Sequence, residues 1–138
     1  MEKLEHIGIA VRDISKANKL FARLFGREHY KVEKVETEGV TTSFFEIGGI
    51  KIELLEATHN ASPIAAFIDK RGQGIHHLAF EVSDIQQALK KYADLGFEIV
   101  NKEPKKGADN KLIFFLHPKS SNGVLIELCQ ELKRDGTG

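Results

Sequence analysis

The chain has no tryptophan, and cysteine is almost as scarce, with one in 138 residues. A lone Cys129 excludes an internal disulfide framework, so the fold must rest on an apolar core, and a reducing compartment is expected. Cytoplasm is the expected location, with an organelle open if a presequence has been removed. Long apolar runs are missing too. Nothing approaches the ~20 residues needed to cross a bilayer, and the start, MEKLEHIGIA, has neither a hydrophobic signal core nor an Arg-rich transit bias. No excess of one charge exists, because twenty basic and twenty acidic side chains cancel. Bulk electrostatics therefore gives no reason to bind nucleic acid, and neither nucleic acid nor membrane is an expected partner.

What is present is an ordinary globular composition, 41% hydrophobic and 29% charged, suited to one domain or two fused halves sharing a core. The chain repeats itself. Setting His6 on His77, an offset of 71, matches eight of the nineteen positions from His6 to Leu24, including Val11/Val82, Asp13/Asp84, Ile14/Ile85 and Ala17/Ala88. Unrelated segments of this composition share about one. A second echo follows in each half, GIKIELLE at 49–56 and GVLIELCQ at 123–130, with Glu53 and Glu127 74 residues apart.

Each half reads as βαβββ. A strand (4–11, then 76–82) leads to Asp13 or Asp84, placed as helix N-caps. The helix stripes are Ile14, Ala17, Phe21, Leu24 and Ile85, Ala88, Tyr92, Leu95, stopped by Gly26 and Gly96. Strands follow near 30–36, 40–47 and 49–56, then near 97–102, 111–116 and 123–130. Gly48–Gly49 signals a tight turn, and HPKSSNG at 117–123 signals a loop. The expected organisation is a single α+β domain, with module 1 at about 4–60, a linking helix at about 62–74, module 2 at about 75–131 and a polar, fraying tail at 132–138.

Strand alternation sorts the side chains. Ile7, Ile9 and Val11 share the face under the helix, with His6 opposite beside Gly8 and Ala10. Leu78, Phe80 and Val82 do the same, with His77 opposite beside Ala79, while His76 falls on the apolar side at the strand's edge. Ile50, Ile52 and Leu54 go under the helix and Glu53 opposite. Val124, Ile126 and Leu128 go under, and Glu127 opposite. One His and one Glu from each repeat thus project from the non-helical face, and two such sheets facing each other would enclose all four.

A strand histidine taken alone is more often structural than a ligand, and a strand glutamate often just faces solvent. Two imidazoles and two carboxylates in equivalent places of a duplicated unit are hard to explain as decoration. Buried carboxylates are costly unless compensated, and a divalent cation compensates them. His6, Glu53, His77 and Glu127 therefore form a candidate metal site for Co, Mn, Ni, Zn or Fe, among which ligand type alone does not choose. An octahedral ion with four protein ligands keeps two positions for a chelating substrate, which points to Lewis-acid chemistry.

The paired βαβββ modules resemble the vicinal oxygen chelate (glyoxalase-like) superfamily, and within it the methylmalonyl-CoA epimerases, over residues 4 to 131. The segments that carry the likeness are EHIGIAVRDI, GGIKIELLEA, SPIAAFIDKRGQGIHHLAFEVSDI and FFLHPKSSNGVLIELCQ. The resemblance implies a curved-sheet barrel with outer helices, a homodimer, and metal ligands at His6, Glu53, His77 and Glu127. Some members have Gln where Glu53 stands. The implied reaction is the interconversion of (2R)- and (2S)-methylmalonyl-CoA, an acyl-CoA substrate, by α-proton abstraction through a metal-stabilised enolate. Inversion needs two acid/base groups flanking the α-carbon. Glu127 is one. The family's partner carboxylate lies three residues after a Gly-Val pair's glycine, and here that place, counted from Gly39, is Thr42. Glu53 is the natural substitute, with a water on the ion as the other open choice.

Coenzyme A phosphates call for cations, and Lys105 and Lys106 in a PKKG turn and Lys119 are candidates, although each reads equally as a solvated lysine. His117 is expected to shape its loop, and His29 and His59 carry no signal. Glyoxalase I, a lactoylglutathione lyase that can use an equivalent ligand set, is the alternative function. An extradiol dioxygenase, with a single-module triad of two His and one Glu, fits the symmetric pattern badly. A non-catalytic small-molecule binder would not need four intact ligands.

Overall fold

A computed structural model describes residues 1–132, so the tail expected at 132–138 lies, apart from Leu132, outside the described residues. By Cα proximity the chain divides into two units, Glu5–His77 and Met1–Leu4 with the chain from Leu78 onward. In chain order the first module contains β1 (Lys3–Ala10), α1 (Ile14–Phe25), β2 (Lys31–Val35), β3 (Val40–Ile47) and β4 (Ile50–Ala57), followed by α2 (Pro63–Arg71). The second contains β5 (Gly74–Glu81), α3 (Ile85–Asp94), β6 (Lys105–Lys106), β7 (Lys111–Leu116) and β8 (Ile126–Glu131).

Each module has the same strand order. In the first it is β2-β3-β4-β1, antiparallel except for the parallel pair β1/β4, which sets Gly8 against Glu53. In the second it is β6-β7-β8-β5, again antiparallel except for the parallel pair β5/β8, which sets Ala79 against Glu127. The β3/β4 hairpin closes through Gly48 and Gly49 at φ 58° and 85°, the paired left-handed conformations that a two-residue hairpin turn requires.

The helices begin where the aspartates place them. The Asp13 carboxylate accepts the Lys16 amide and the Asp84 carboxylate the Gln87 amide, both at 3.1 Å. The duplication extends further: Glu56 Oε2 receives the Ile14 amide at 2.9 Å, and Gln130 Oε1 receives the Ile85 amide at 2.8 Å. Each helix lies on one face of its strands. Val11, Phe45 and Leu54 form a buried cluster with Ile9, Ile14, Ala17, Phe21 and Phe25 around it. Val82, Ile85, Ala88, Phe114, Leu116 and Leu128 form the other.

Several expectations need correction. Leu24 and Leu95 are 68% and 63% exposed and do not continue the helix stripes. At ~100° per residue, position 25 returns to within about 20° of Ile14, whereas position 24 is about 80° away, so Phe25 takes that place; Leu95 lies past the end of α3. The strand expected at 97–102 reduces to a single bridge between Ile99 and Leu116. Asn101 ends it, because its Oδ1 accepts the Phe115 amide at 3.1 Å while its amide group donates to the Glu103 carbonyl at 2.7 Å. A side chain thus occupies the place of a backbone carbonyl, and pairing with β7 passes to Lys105 and Lys106, which are strand residues and not a turn. Val124 is also exposed, at 42%, because it is still within the turn, where its carbonyl accepts from Ser121 Oγ at 2.6 Å.

Candidate metal centre

Four side chains meet in the first unit. β1 carries Glu5 and His6, β4 carries Glu53, and the first half of β5 carries His77; each is no more than 5% exposed. His6 Nε2 and His77 Nε2 are 3.0 Å apart, with ring planes at 84°. The opposite edge of the His6 ring faces carboxylates, with Nδ1 2.6 Å from Glu5 Oε1 and 3.2 Å from Glu53 Oε2. Glu5 in turn accepts from Lys51 Nζ at 2.8 Å. His77 Nδ1 lies 3.0 Å from His76 Nδ1, and the His76 ring stands edge-on to Phe67 of α2 at 5.0 Å between centroids.

Local sequence explains the approach. A Cβ on Gly8 would lie 2.3 Å from Cε1 and 2.9 Å from Nε2 of His77, so the ring can lie against β1 only because that position has no side chain. Gly8, beside His6 on the non-helical face, thus leaves room for the second imidazole.

The donor set fits a divalent cation. Two nitrogens each about 2.1 Å from one ion lie about 3.0 Å apart at a right angle and about 3.4 Å apart at the tetrahedral angle. The observed Nε2 separation matches cis positions of an octahedral ion. Glu5, His6 and Glu53 also offer ligand atoms lying within 4.8 Å of one another, on the Nδ1 side. Of these carboxylates Glu5 already faces a cation in Lys51.

Glu53 and His77 thus both reach His6, at opposite edges of its ring. Glu127 is 4% exposed near the start of β8, in register with Ala79 and Phe115, and belongs to the second unit. Thr42 is fully buried, its Oγ1 has no hydrogen-bond partner, and it lies two residues from Phe44, the cross-strand neighbour of Glu53. His117 shapes its loop as expected, with Nδ1 accepting the Lys119 amide at 3.0 Å. Lys119 is exposed and 3.9 Å from Glu98. His29 stands edge-on to Phe45, a less polar setting than its neighbours in sequence imply.

Sequence reasoning missed Glu5. Alternation assigns it to the helix side with Ile7 and Ile9, yet its carboxylate turns to the neighbouring ring. An acidic residue immediately before a buried strand histidine was the available signal.

The glyoxalase/bleomycin resistance protein/dioxygenase superfamily model matches residues 5–115. An uncharacterised protein of Bacillus subtilis is 38% identical over 130 residues, covering 94% of this chain and 93% of its own. A protein of Cereibacter sphaeroides named as an ethylmalonyl-CoA/methylmalonyl-CoA epimerase is 39% identical, covering 93% and 97%. The solved structure of Streptomyces coelicolor methylmalonyl-CoA epimerase, a variant in complex with 2-nitronate-propionyl-CoA, superposes with a TM-score of 0.91 at 31% identity, covering 95% of each chain.

Proposed function

The chain belongs to the glyoxalase/bleomycin resistance protein/dioxygenase superfamily and, within it, to the methylmalonyl-CoA epimerase family, and from that membership we propose that it interconverts (2R)- and (2S)-methylmalonyl-CoA with a divalent metal ion held by His6, Glu53, His77 and Glu127. The observation that carries this reading is the pair of buried imidazoles, His6 and His77, with Nε2 atoms 3.0 Å apart over a glycine that makes room for one of them. Charge supports it. Lys51 answers Glu5, and the carboxyl groups of Glu53 and Glu127 oppose the charge of the ion. Co, Mn, Ni and Zn all suit these ligands.

When bound, the cation supplies Lewis acidity that offsets the negative charge developing on the thioester oxygen as the α-proton leaves. Glu127 takes that proton on one face of the α-carbon, and the C–H electron pair moves toward the thioester carbonyl. Glu53, which enters the step protonated, delivers a proton to the other face. Exchange with solvent then returns each carboxyl to its starting state, and the two exchange roles for the opposite epimer. Thr42 has only a hydroxyl at the position where the family's second carboxylate is expected, and it takes no part in this scheme. Burial of all these groups keeps bulk water from reprotonating the carbon indiscriminately.

Lys105, Lys106 and Lys119 remain the proposed cations for the coenzyme A phosphates. A cytoplasmic homodimer completes the reading: the buried thiol of Cys129, in no disulfide, suits a reducing compartment, and the dimer rests on the family resemblance. No helix among the described residues is long and apolar enough to cross a membrane.

Incubation with methylmalonyl-CoA in D₂O tests the function. Deuterium should enter at the α-carbon together with inversion, and both should stop in Glu127→Ala or after chelation. Turnover of the hemithioacetal of methylglyoxal and glutathione, with no exchange in methylmalonyl-CoA, would instead establish the glyoxalase I reading.

A further inference from the structure

We propose that the residue immediately before each ligand histidine is its positioning residue, Glu5 for His6 and His76 for His77. The two stand in equivalent places of the duplication, offset by the same 71 residues that relate His6 to His77. Each reaches the Nδ1 atom of its neighbour, Glu5 at 2.6 Å and His76 at 3.0 Å, and so leaves the neighbour's Nε2 facing the partner imidazole. This rests on the metal-site reading above and gives its unassigned neighbours a task.

The two contacts are chemically unequal. An ionised carboxylate only accepts, so His6 must carry its proton on Nδ1 and keep the Nε2 lone pair for an ion. The short distance fits a charge-assisted bond. Lys51 Nζ, 2.8 Å from the other oxygen, fixes the direction of the Glu5 carboxylate. Glu5 also competes successfully for Nδ1, lying closer than Glu53 at 3.2 Å, which leaves Glu53 available to the ion. His76 is amphoteric and imposes no tautomer. With His6 Nε2 acting as acceptor, His77 Nε2 donates to it, and His77 Nδ1 accepts from His76. An ion at His77 Nε2 calls for the other tautomer of His77, with its proton on Nδ1 donated to His76, whose own proton then resides on Nε2. The partner of His6 can only accept, whereas the partner of His77 can accept or donate. Phe67 holds the His76 ring edge-on and keeps its Nδ1 within reach of His77.

The test uses Zn²⁺ and Co²⁺ with the full chain. Outer partners of metal-bound histidines typically contribute 10–100-fold in metal affinity, so Zn²⁺ affinity should fall by about that factor in Glu5→Leu. It should fall less in Glu5→Gln, which retains an acceptor without charge, and in Lys51→Met. His76→Phe, which preserves the packing on Phe67, should also weaken binding. The visible spectrum of the Co²⁺ form should be unchanged in all four, because no ligand has been removed. In the Zn²⁺ form, long-range ¹⁵N spectra should show both ligand rings protonated on Nδ1, with the His6 proton strongly deshielded until Glu5 is replaced. Unchanged affinity in both Glu5→Leu and His76→Phe overturns the proposal. So does a Co²⁺ spectrum that loses a ligand in Glu5→Leu, which would make Glu5 a ligand. Wild-type protein that takes up neither ion overturns the metal site itself, and this inference with it.

Discussion

The His77 imidazole lies against the backbone of Gly8, so close that a Cβ there would come within 2.3 Å of Cε1 and 2.6 Å of Nδ1. Gly8 is also in register with Glu53 across the parallel β1/β4 pair. One residue without a side chain thus separates a proposed imidazole ligand from the strand that bears a proposed carboxylate ligand.

Gly8→Ala should therefore damage the site more than the fold. The obstructed atoms belong to a side chain that can rotate away, so overpacking should cost no more than about 1–3 kcal/mol in denaturant melts. The displaced ring can no longer bring Nε2 to His6. Zn²⁺ affinity, measured by competition with a chromophoric chelator, should drop at least about tenfold. Unaltered affinity would show that His77 does not need this seat.

Metal should stabilise the wild-type protein and leave His77→Ala unaffected. An ion present at about 100 times its dissociation constant contributes about 2.7 kcal/mol through binding to the folded state alone. For a chain of this length that corresponds to a rise in Tm on the order of 10 °C. Calorimetry with and without Co²⁺ checks it, and chelation should reverse the shift in wild type.

Alternation and turn chemistry made most of the fold legible, because they act through the backbone within a few residues. Asp13, Asp84, Gly26 and the Gly48–Gly49 turn stand where their conformational preferences put them. Helix angle and helix end account for Leu24 and Leu95, and two other errors arose from what a side chain does. Asn101 accepts the Phe115 amide and ends a strand whose composition gave no warning. Glu5 violates alternation for a similar reason: its side chain is long enough to bend around the pleat to its neighbour's ring. Parity assigns a face to Cβ, not to a carboxylate three bonds further out. The His6/His77 approach was recoverable only because the duplication made two weak signals equivalent.

The duplicated caps predict additive losses. Asp13→Ala and Asp84→Ala each remove a side-chain acceptor from a helix N-terminus, at a cost of about 1 kcal/mol. Their partners, Lys16 and Gln87, are distinct. Because no hydrogen bond is shared, the double variant should lose about 2 kcal/mol, with coupling below about 0.5. Equilibrium urea unfolding of the four proteins measures this, and a larger coupling would mean that the caps communicate.

Glu53→Gln and Thr42→Val together distinguish which group serves the second face of the α-carbon. An amide can still coordinate through its oxygen but cannot carry a proton, so Glu53→Gln should keep its metal while losing the exchange of one face. With Glu127 intact, one epimer should still take up deuterium with retention, while inversion falls by about 10²–10⁴-fold. Thr42→Val removes a buried hydroxyl that has no hydrogen-bond partner, and replacing such a group by an isosteric methyl should be neutral or mildly stabilising. Exchange and inversion should both survive it. If inversion instead persists in Glu53→Gln and collapses in Thr42→Val, the proton relay runs through the threonine. The carboxylate would then be a ligand alone.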